Sequence, residues 1–515
     1  MKLLEVNSTS TPGDDTIHHN MLPPTTFSFT LFTIAITMAL TAAAIAADKT
    51  APPPKAVSIL CVGDSITEGS DHFVSYRYPL WEKLFAHGYV IQYVGSKTSN
   101  TRIGPINHEG YGGKTAEFLD EHIEQFYKAN PADIVLLASG HNHDTAEEPI
   151  EGIVKANESI IRKVLAIRPD AIVLVAQVIH SGKLPKYSYI PEVNQAIAKM
   201  ALRVDPSQKH VICVDLANGY DWNTDTIEDH VHPNAAGADK IAGRWFDALA
   251  KVLPAPPAWQ EPKVVVYKKT KQRELSLSIF QPDGKKPVAP APAIVYFFGG
   301  GWSQGTPIQF YRECNHFAAR GMVAISVDYR IASVDKTAPA DSLEDAKSAM
   351  RWVRSHAAEL GVDPTRIAGA GASAGGQLAA AAAFSTGFNA PADDLAISPR
   401  PDALLLYYAV VDNGPAGYGI ASVNDAYRDF SPMHAMRAPV PPTTFFLGTK
   451  DNLIPVATAE AYQKKVESLG GRCDLHLYEG RGHPIYLYRE GESPLSREVL
   501  KTADDFLVSL KYLSP

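Results

Sequence analysis

Cysteine is scarce in this sequence, with four residues in 515. None of them forms a C-x-x-C pair, and their wide spacing excludes a dense disulfide framework. Cys61 and Cys213 lie in apolar, strand-like stretches and are expected to be buried thiols, whereas Cys314 and Cys473 could pair if the fold brings them together. Large hydrophobic cores must therefore hold the fold together.

Positive charge is also in short supply, because 48 lysines and arginines stand against 56 aspartates and glutamates, for a formal net charge of -8. A surface that neutralises phosphates would show the opposite balance. We therefore expect no nucleic-acid partner and favour a neutral ligand. The remaining composition, 45% hydrophobic and 20% charged, is typical of a globular protein, and the length indicates two or three domains.

Basic residues are few ahead of the long apolar run between Phe27 and Ala47, where Lys2 is the only lysine or arginine. The run ends in small residues that suit signal peptidase, and Met21 could be the true start. The run is also long enough to be an uncleaved membrane anchor. We predict a signal peptide or N-terminal anchor at residues 1–47, no other membrane contact, and a secreted or periplasmic protein.

Strand-like apolar runs alternate with helix-like stretches in two blocks, which is typical of mostly parallel sheets covered by helices. A Pro-rich stretch at residues 254–262 separates the blocks and is predicted to be a linker. The predicted domains are residues 55–253 and 263–515, both of the α/β class. Alternating runs at Val264 to Tyr267 and Glu274 to Phe280 predict a hairpin at the start of the second domain.

The first block contains a serine, a histidine and an acid in an arrangement that suits nucleophilic catalysis. Ser65 directly follows a strand-like run, and a serine needs a base to become a nucleophile at neutral pH. His232 can be that base, because Asp229 lies three residues earlier and can orient the imidazole. Gly110, through its backbone N–H, and Asn142, through its side-chain amide, could donate hydrogen bonds to an oxyanion.

These separated motifs resemble those of SGNH (GDSL-type) hydrolases, particularly their carbohydrate acetylesterase branch, over about Lys55 to Leu253. The resemblance implies a flavodoxin-like, three-layer α/β/α domain and the residue roles just given. One motif departs from the family pattern, because His143 stands where Asp is usual and Asp144 follows it. Gly112 or Gly113 is an alternative oxyanion donor.

Two other interpretations of the first block involve no serine nucleophile. Asp64 and Ser65 could merely cap a helix, with Asp229 and His232 in a solvated loop. Alternatively, H-x-H pairs could hold a first-row metal. The residues of this metal interpretation are His141, His143, Asp144, His230 and His232. The serine interpretation uses every motif, so we predict no metal and no cofactor.

In the second block, Gly371-Ala372-Ser373-Ala374-Gly375-Gly376 has a small residue wherever a sharp strand-to-helix turn needs one. An apolar run precedes it and an Ala-rich stretch follows, as in a nucleophile elbow. Ser373 is the predicted nucleophile. The backbone N–H of Ala374, together with those of Gly300 and Gly301 after an upstream strand-like run, is predicted to bind an oxyanion.

Downstream of this turn, Asp451 ends one strand-like run and His483 follows the next, which gives the order Ser, Asp, His. The block resembles the esterase/lipase branch of the α/β-hydrolases, including small-acyl and feruloyl-type carbohydrate esterases, over nearly all of Lys263 to Pro515. The resemblance implies a mostly parallel sheet and a triad of Ser373, Asp451 and His483. The family's oxyanion motif usually begins with His, and Phe298 replaces it here.

Together the patterns predict a bifunctional exported esterase that removes acetyl or other small acyl groups from plant polysaccharides, with a Ser-His-Asp set in each half. The expected partner is an acylated polysaccharide or oligosaccharide, for which Trp302, Tyr418 and Tyr486 would suit sugar stacking if they line a site. One alternative is that one domain has lost catalysis and positions carbohydrate, which the departures at His143 and Phe298 would favour. Another is a general carboxylesterase, lipase or peptidase. The sequence does not predict the oligomeric state.

Overall fold

The computed structural model describes residues 56–256, 259–485 and 493–515. The predicted signal peptide or anchor at residues 1–47 lies outside these ranges. Across the described residues, no helix is long and apolar enough to cross a membrane. The described residues contain two sheets, which belong to one structural unit.

The first sheet has seven strands: β1 (Val57–Gly63), β2 (Ile91–Val94), β3 (Lys97–Thr101), β4 (Gly104–Gly110), β5 (Ile134–Ala138), β6 (Ile172–Gln177) and β7 (Val211–Asp215). Their order is β3-β4-β1-β5-β6-β7, with β2 also paired to β1, and β3 pairs antiparallel with β4. Every residue of β5 is buried, as expected for a parallel strand with helices on both faces. The parallel sheet agrees with the predicted α/β class.

Helices α1 to α7 belong to the same half. They are α1 (Ser65–Glu68), α2 (Arg77–Ala86), α3 (Ala116–Ala129), α4 (Ile150–Ile167), α5 (Ile190–Val204), α6 (Trp222–Asp225) and α7 (Ala235–Leu249). The longer ones are amphipathic. In α3, for example, Leu119, Ile123 and Tyr127 recur at intervals of four and are all buried, so one face of the helix packs on the core.

The second sheet has eight strands: β8 (Lys263–Lys269), β9 (Glu274–Phe280), β10 (Ala291–Phe297), β11 (Val323–Val327), β12 (Val362–Ala372), β13 (Ala403–Tyr407), β14 (Thr443–Gly448) and β15 (Cys473–Tyr478). Their order is β15-β14-β13-β12-β10-β11-β9-β8. The six strands β10 to β15 pair in parallel with one another. The predicted hairpin at the start is confirmed as the antiparallel pair β8 and β9.

Ten helices accompany this sheet in the described residues. They are α8 (Tyr311–Ala319), α9 (Ala332–Asp335), α10 (Pro339–Ser355), α11 (Ala357–Leu360), α12 (Ala374–Phe384), α13 (Ile420–Val423), α14 (Tyr427–Phe430), α15 (Pro432–Ala435), α16 (Val456–Ser468) and α17 (Pro494–Ser509). Helix α12 is buried almost throughout, because its Ala-rich sequence lets it lie close to the sheet.

Parallel strands bring the candidate residues to one edge of each sheet, since their carboxyl ends all meet there. In the first half Ser65 follows β1 and Asn142 follows β5. In the second half Ser373, Asp451 and His483 follow β12, β14 and β15. Residues far apart in the sequence therefore meet at the two sheet edges.

Two features differ from the sequence-based expectations. All four cysteines are free, so the possible pair of Cys314 and Cys473 does not form, and Cys213 is half-buried rather than buried. Burial raises the pKa of the Cys61 thiol to about 12, which keeps it protonated and inert.

The hairpin of β3 and β4 is not among the predicted strands, because β3 is short, polar and half exposed.

The two halves contact each other directly. The indole N–H of Trp259, in the region predicted as linker, donates to the Ala86 carbonyl at the end of α2 (2.7 Å). The Gln260 backbone N–H donates to Asn315 Oδ1 of α8 (2.8 Å). Ile308 packs against the hydrophobic cores of both sheets. These contacts fix the first half against the second.

A buried ion cluster gives a test of the second half's stability. The Asp345 side chain is fully buried and accepts hydrogen bonds from Arg330 Nε (2.7 Å), Arg330 Nη2 (2.8 Å) and Lys268 Nζ (2.7 Å). Asp345→Asn removes the fully buried charge of this cluster and leaves Arg330 and Lys268 only the more exposed carboxylates of Asp341 and Glu344. It should therefore lower the free energy of unfolding by about 1–3 kcal/mol in urea titration. Lys269→Ala, which breaks an exposed pair with Glu274, should leave the free energy of unfolding nearly unchanged. Equal losses in the two variants would contradict this account.

Candidate active sites

The first candidate site is a chain of hydrogen bonds from Ser65 to Asp229. Ser65 Oγ lies 2.8 Å from His232 Nε2, and His232 Nδ1 lies 2.5 Å from Asp229 Oδ2. The other carboxylate oxygen of Asp229 accepts the backbone N–H groups of Val231 and His232 (both 2.9 Å). Asp229 therefore holds the Nδ1–H tautomer, which leaves Nε2 free to accept the Ser65 proton.

The charge of Asp229 and a stacked aromatic ring both affect the state of His232. Partial burial raises the pKa of Asp229, but the hydrogen bonds from the His232 ring and from the His232 and Val231 N–H groups outweigh it, so the pKa lies below its ordinary value. Asp229 is thus ionised at neutral pH. The Phe73 ring stacks on the His232 imidazole at 4.0 Å and 21°. Nothing in the sequence pattern indicated this contact.

Gly110 does not fit its predicted role as an oxyanion donor. Its backbone N–H already donates to His108 Nδ1 (3.0 Å), two residues earlier on β4. Gly112 is excluded for a similar reason, because its N–H donates to Glu68 Oε2 (2.6 Å). The Gly113 N–H has no acceptor among the described residues. Gly113 is therefore the remaining candidate among the three glycines considered as oxyanion donors.

Asn142 keeps a donor available. Its Nδ2 donates one hydrogen to the Lys114 carbonyl (2.9 Å), which leaves the second hydrogen of the amide for a ligand.

The backbone N–H of Ser65 is a further donor that the sequence argument missed. Ser65 is the first residue of α1, so its own N–H has no partner within the helix, and no acceptor lies elsewhere in the described chain. The helix-capping pattern of Asp64 and Ser65 was the sequence feature from which this free N–H could have been predicted.

Asp64 accepts the Ile66 N–H (2.9 Å), so it caps α1 as one interpretation of the sequence proposed. The Ser65 to His232 contact is present as well, so capping alone does not account for these residues. The histidines of the metal interpretation are dispersed. His141 bonds the Ile179 carbonyl (3.0 Å), and His143 lies between two glutamates, Glu117 and Glu147. Within the described ranges no three His, Cys, Asp or Glu side chains form a cation-binding group.

The second candidate site repeats the relay in more enclosed surroundings. Ser373 Oγ lies 3.0 Å from His483 Nε2, and His483 Nδ1 lies 2.7 Å from Asp451 Oδ2. Asp451 Oδ1 accepts the N–H groups of Leu453 and Ile454 (both 2.8 Å). The side chain of Asp451 is fully buried and that of His483 is 9% exposed, against 40% and 23% for Asp229 and His232.

A strained turn presents Ser373. Its φ of 52° and ψ of -118° are unusual for a residue with a side chain. Hydrogen bonds fix both sides of the turn, from the Ser373 N–H to the Tyr407 carbonyl (2.9 Å) and from the Val410 N–H to the Ser373 carbonyl (3.1 Å). A Cβ at Gly375 would lie 2.0 Å from the Phe297 carbonyl oxygen. The glycines are therefore required by close packing.

The predicted oxyanion donors of this half are available. Ala374 is the first residue of α12, and the N–H groups of Ala374, Gly300 and Gly301 have no acceptor among the described residues. Phe298, which replaces the usual histidine, is buried and stacks on Tyr329 at 4.0 Å. The substitution thus exchanges a polar group for packing and leaves the donors in place.

The structure places the three aromatic residues proposed for sugar stacking in different surroundings. Trp302 is 3% exposed, and its indole N–H donates to Gln377 Oε1 (3.1 Å), so its ring is part of the core and the stacking hypothesis is wrong for it. Tyr418 is half-buried, and its hydroxyl lies 3.5 Å from where a Cβ on Gly301 would stand. Tyr486 lies outside the described residues.

Two Ser-His-Asp relays at the carboxyl ends of parallel strands define serine-hydrolase geometry twice in one chain. Comparison with known families agrees. Residues 61–240 match the GDSL-like Lipase/Acylhydrolase family, and residues 277–416 match the BD-FAE family. The chain therefore contains a GDSL-like hydrolase domain followed by an α/β-hydrolase esterase domain.

Individual relatives cover only parts of the chain. Esterase LipC of Mycobacterium tuberculosis is 29% identical over 221 residues, which are 38% of this chain and 54% of LipC. Carboxylesterase NlhH of the same organism is 46% identical over 92 residues, 17% of this chain and 28% of NlhH. The chain thus spans about half the length of LipC and less of NlhH. The apo structure of Thermogutta terrifontis esterase 2 is 40% identical, and the match covers 51% of this chain and 100% of that one with a TM-score of 0.48.

A buried histidine beside the first site predicts a pH dependence. Burial, followed by the charges of Arg77 and Lys97, lowers the pKa of His108 from 6.5 to about 3. Between these values the unfolded chain binds a proton that the folded chain does not, so the free energy of unfolding should fall as the pH drops through this window. His108→Gln, which keeps an acceptor for the Gly110 N–H, should make the fall shallower in urea titrations across the window.

The matched control is His72→Gln, because His72 is exposed and its substitution should leave the slope unchanged. Parallel losses of stability in His108→Gln and the parent chain would contradict the neutral, buried state of His108.

Proposed function

We propose that this protein is a carboxylic ester hydrolase with two serine active sites, at Ser65 and Ser373. The observation that carries the proposal is that each half places a serine oxygen within 3.0 Å of a histidine whose other nitrogen bonds an aspartate. Each histidine is thereby held in the tautomer that accepts a proton from serine. The matched relatives named esterase and carboxylesterase support the same chemistry.

The mechanism follows from the atoms in place. Serine Oγ attacks the ester carbonyl carbon while its proton moves to histidine Nε2. The resulting oxyanion accepts hydrogen bonds from Ala374, Gly300 and Gly301 in the second site, and from Ser65, Gly113 and Asn142 in the first. The intermediate collapses to an acyl-serine, and the leaving alcohol takes the proton from Nε2. Water then repeats the sequence and releases the acid.

The substrate proposal is an acetyl or other small acyl ester on a plant polysaccharide. The first relay is the more open of the two, because Ser65 is only half-buried and the Asp229 side chain is 40% exposed, which suits an acyl group carried on a bulky polymer. The net charge of -8 suits a neutral polymer better than an anionic one. Export of the protein, through residues 1–47, belongs to the same proposal.

A general carboxylesterase is the second candidate, favoured by the esterase names of the matched relatives. A purely carbohydrate-binding role for one half has less support, because both relays are complete in the described residues. His143 is held by two glutamates, and Phe298 by a ring stack, so neither departure disrupts its site.

Serine variants test whether both sites act. On a small aryl acetate, Ser65→Ala and Ser373→Ala should each retain part of the turnover, because each relay is complete. The double variant should lose about 10³-fold or more of kcat. Complete loss in either single variant would show that one site alone performs the reaction.

The polymer proposal needs its own measurement. Acetate release from acetylated xylan, glucomannan and pectin is followed with the parent chain and with each single serine variant, and the double variant is the blank. We expect release from at least one polymer and a different preference for each site. Cleavage of long-chain triglycerides or peptides, with none of these polymers deacylated, would refute the polysaccharide substrate and leave ester or amide hydrolysis standing.

A further inference from the structure

The loop after β10, residues Gly299–Gly305, carries two of the three oxyanion donors of the second site. We call it the oxyanion loop. Its start is held from within the same half, because the Gly299 N–H donates to Gln309 Oε1 (2.6 Å). The Trp302 carbonyl accepts the N–H of Ala332 (3.0 Å). Neither of these contacts involves Gly305, at the far end of the loop.

Gly305 is held by the other half of the chain. Its N–H donates to the Arg102 carbonyl (2.7 Å), and its carbonyl accepts Arg102 Nε (2.7 Å). Among the described residues, Arg102 is the only partner of either group. Gly305 is buried, and buried backbone groups need partners. The two hydrogen bonds therefore fix this glycine in position and in orientation.

The backbone of Gly305 transmits this restraint to the donors. Its φ is +103°, and a Cβ there would lie 2.2 Å from the Gly299 carbonyl oxygen. A Cβ on Gly300 would lie 2.2 Å from the carbonyl oxygen of Gln304, the residue before Gly305. The two ends of the loop thus pack directly against each other, so a shift of Gly305 must move Gly300.

Arg102 itself lies on a well-fixed support. It is in the two-residue turn between β3 and β4, where Thr101 Oγ1 donates to the Gly104 carbonyl (2.7 Å) and accepts the Ile103 N–H (3.3 Å). A second contact lies nearby, from Thr306 Oγ1 to Glu82 Oε1 of α2 (3.0 Å). Both anchors of residues 305–306 come from the first half.

From this arrangement we propose that the β3 and β4 hairpin of the first half is a positioning element of the second active site. Arg102 sets the position of the oxyanion loop and hence of the Gly300 and Gly301 N–H groups. The inference rests on the proposed esterase activity of Ser373. It makes the second site dependent on the presence of the first domain, although not on the chemistry at Ser65.

The kinetic consequence is specific. Oxyanion donors act on charge that develops only in the transition state, so loosening them lowers kcat more than it raises KM. Displacement of a reacting group by about 1 Å can cost about 100-fold in rate. Arg102→Ala removes the Nε donor and leaves the backbone bond. The combination with Thr306→Val removes both side-chain anchors and keeps the volume at residue 306.

The test uses the full chain in a Ser65→Ala background, so that aryl acetate turnover reports Ser373 alone. Arg102→Ala with Thr306→Val should lower kcat by about tenfold or more with KM nearly unchanged. A small alkyl boronic acid, whose serine adduct places an anionic oxygen at the same donors, should lose affinity in parallel. Arg102→Lys, which retains a donor, should restore part of the kcat.

The control is Arg244→Ala. Arg244 also bonds a backbone carbonyl, that of Asn218, but within the first half, so its loss should leave Ser373 turnover unchanged. In a Ser373→Ala background the Arg102 and Thr306 changes should not alter the kcat of Ser65. An unchanged kcat at Ser373, or equal losses at both sites, would overturn the proposed positioning role. A Ser65→Ala parent without turnover would instead refute the activity at Ser373.

Discussion

The backbone conformation of Ser373 is the constraint on which the second half depends. A residue with a side chain at φ 52° costs about 1–3 kcal/mol, so the surrounding structure must impose it. Strand β13 and the residues just after it do so through hydrogen bonds to both sides of the turn, and the glycines allow α12 to approach β10 without a Cβ in between. This turn brings Oγ to His483 and leaves the Ala374 N–H, at the start of α12, without an acceptor among the described residues. Nucleophile and oxyanion donor are thus products of one strained turn.

The first half reaches a similar relay without such strain at its serine. Ser65 begins a helix that Asp64 caps in an ordinary extended conformation, so its free N–H comes from the helix end. The base and the acid come from one short segment, where Asp229 bonds both the ring and the backbone of His232. The result is a more open site, since its acid and base are more exposed than those of the second half. Two physical routes thus give the same chemical arrangement in one chain.

Much of this was predictable from the sequence. Motifs at strand ends identified both serines, because parallel strands must bring their carboxyl ends together. Contacts across a turn or between halves were not predictable. The N–H of Gly110 is taken by a side chain on its own strand, and the buried Trp302 donates its indole N–H to Gln377 of α12. Arg102 lies in a polar hairpin without a strand-like pattern. Each depends on tertiary packing that local periodicity does not encode.

The central claim is that one chain carries two activated serines, and covalent titration tests it most directly. Exhaustive reaction with a small phosphonofluoridate, followed by intact-mass measurement, counts the serines that a neighbouring base activates. The account predicts two adducts on the parent chain, at Ser65 and Ser373, and one on each single Ser→Ala variant. A single adduct on the parent chain, or adducts that persist on the double variant, would contradict it.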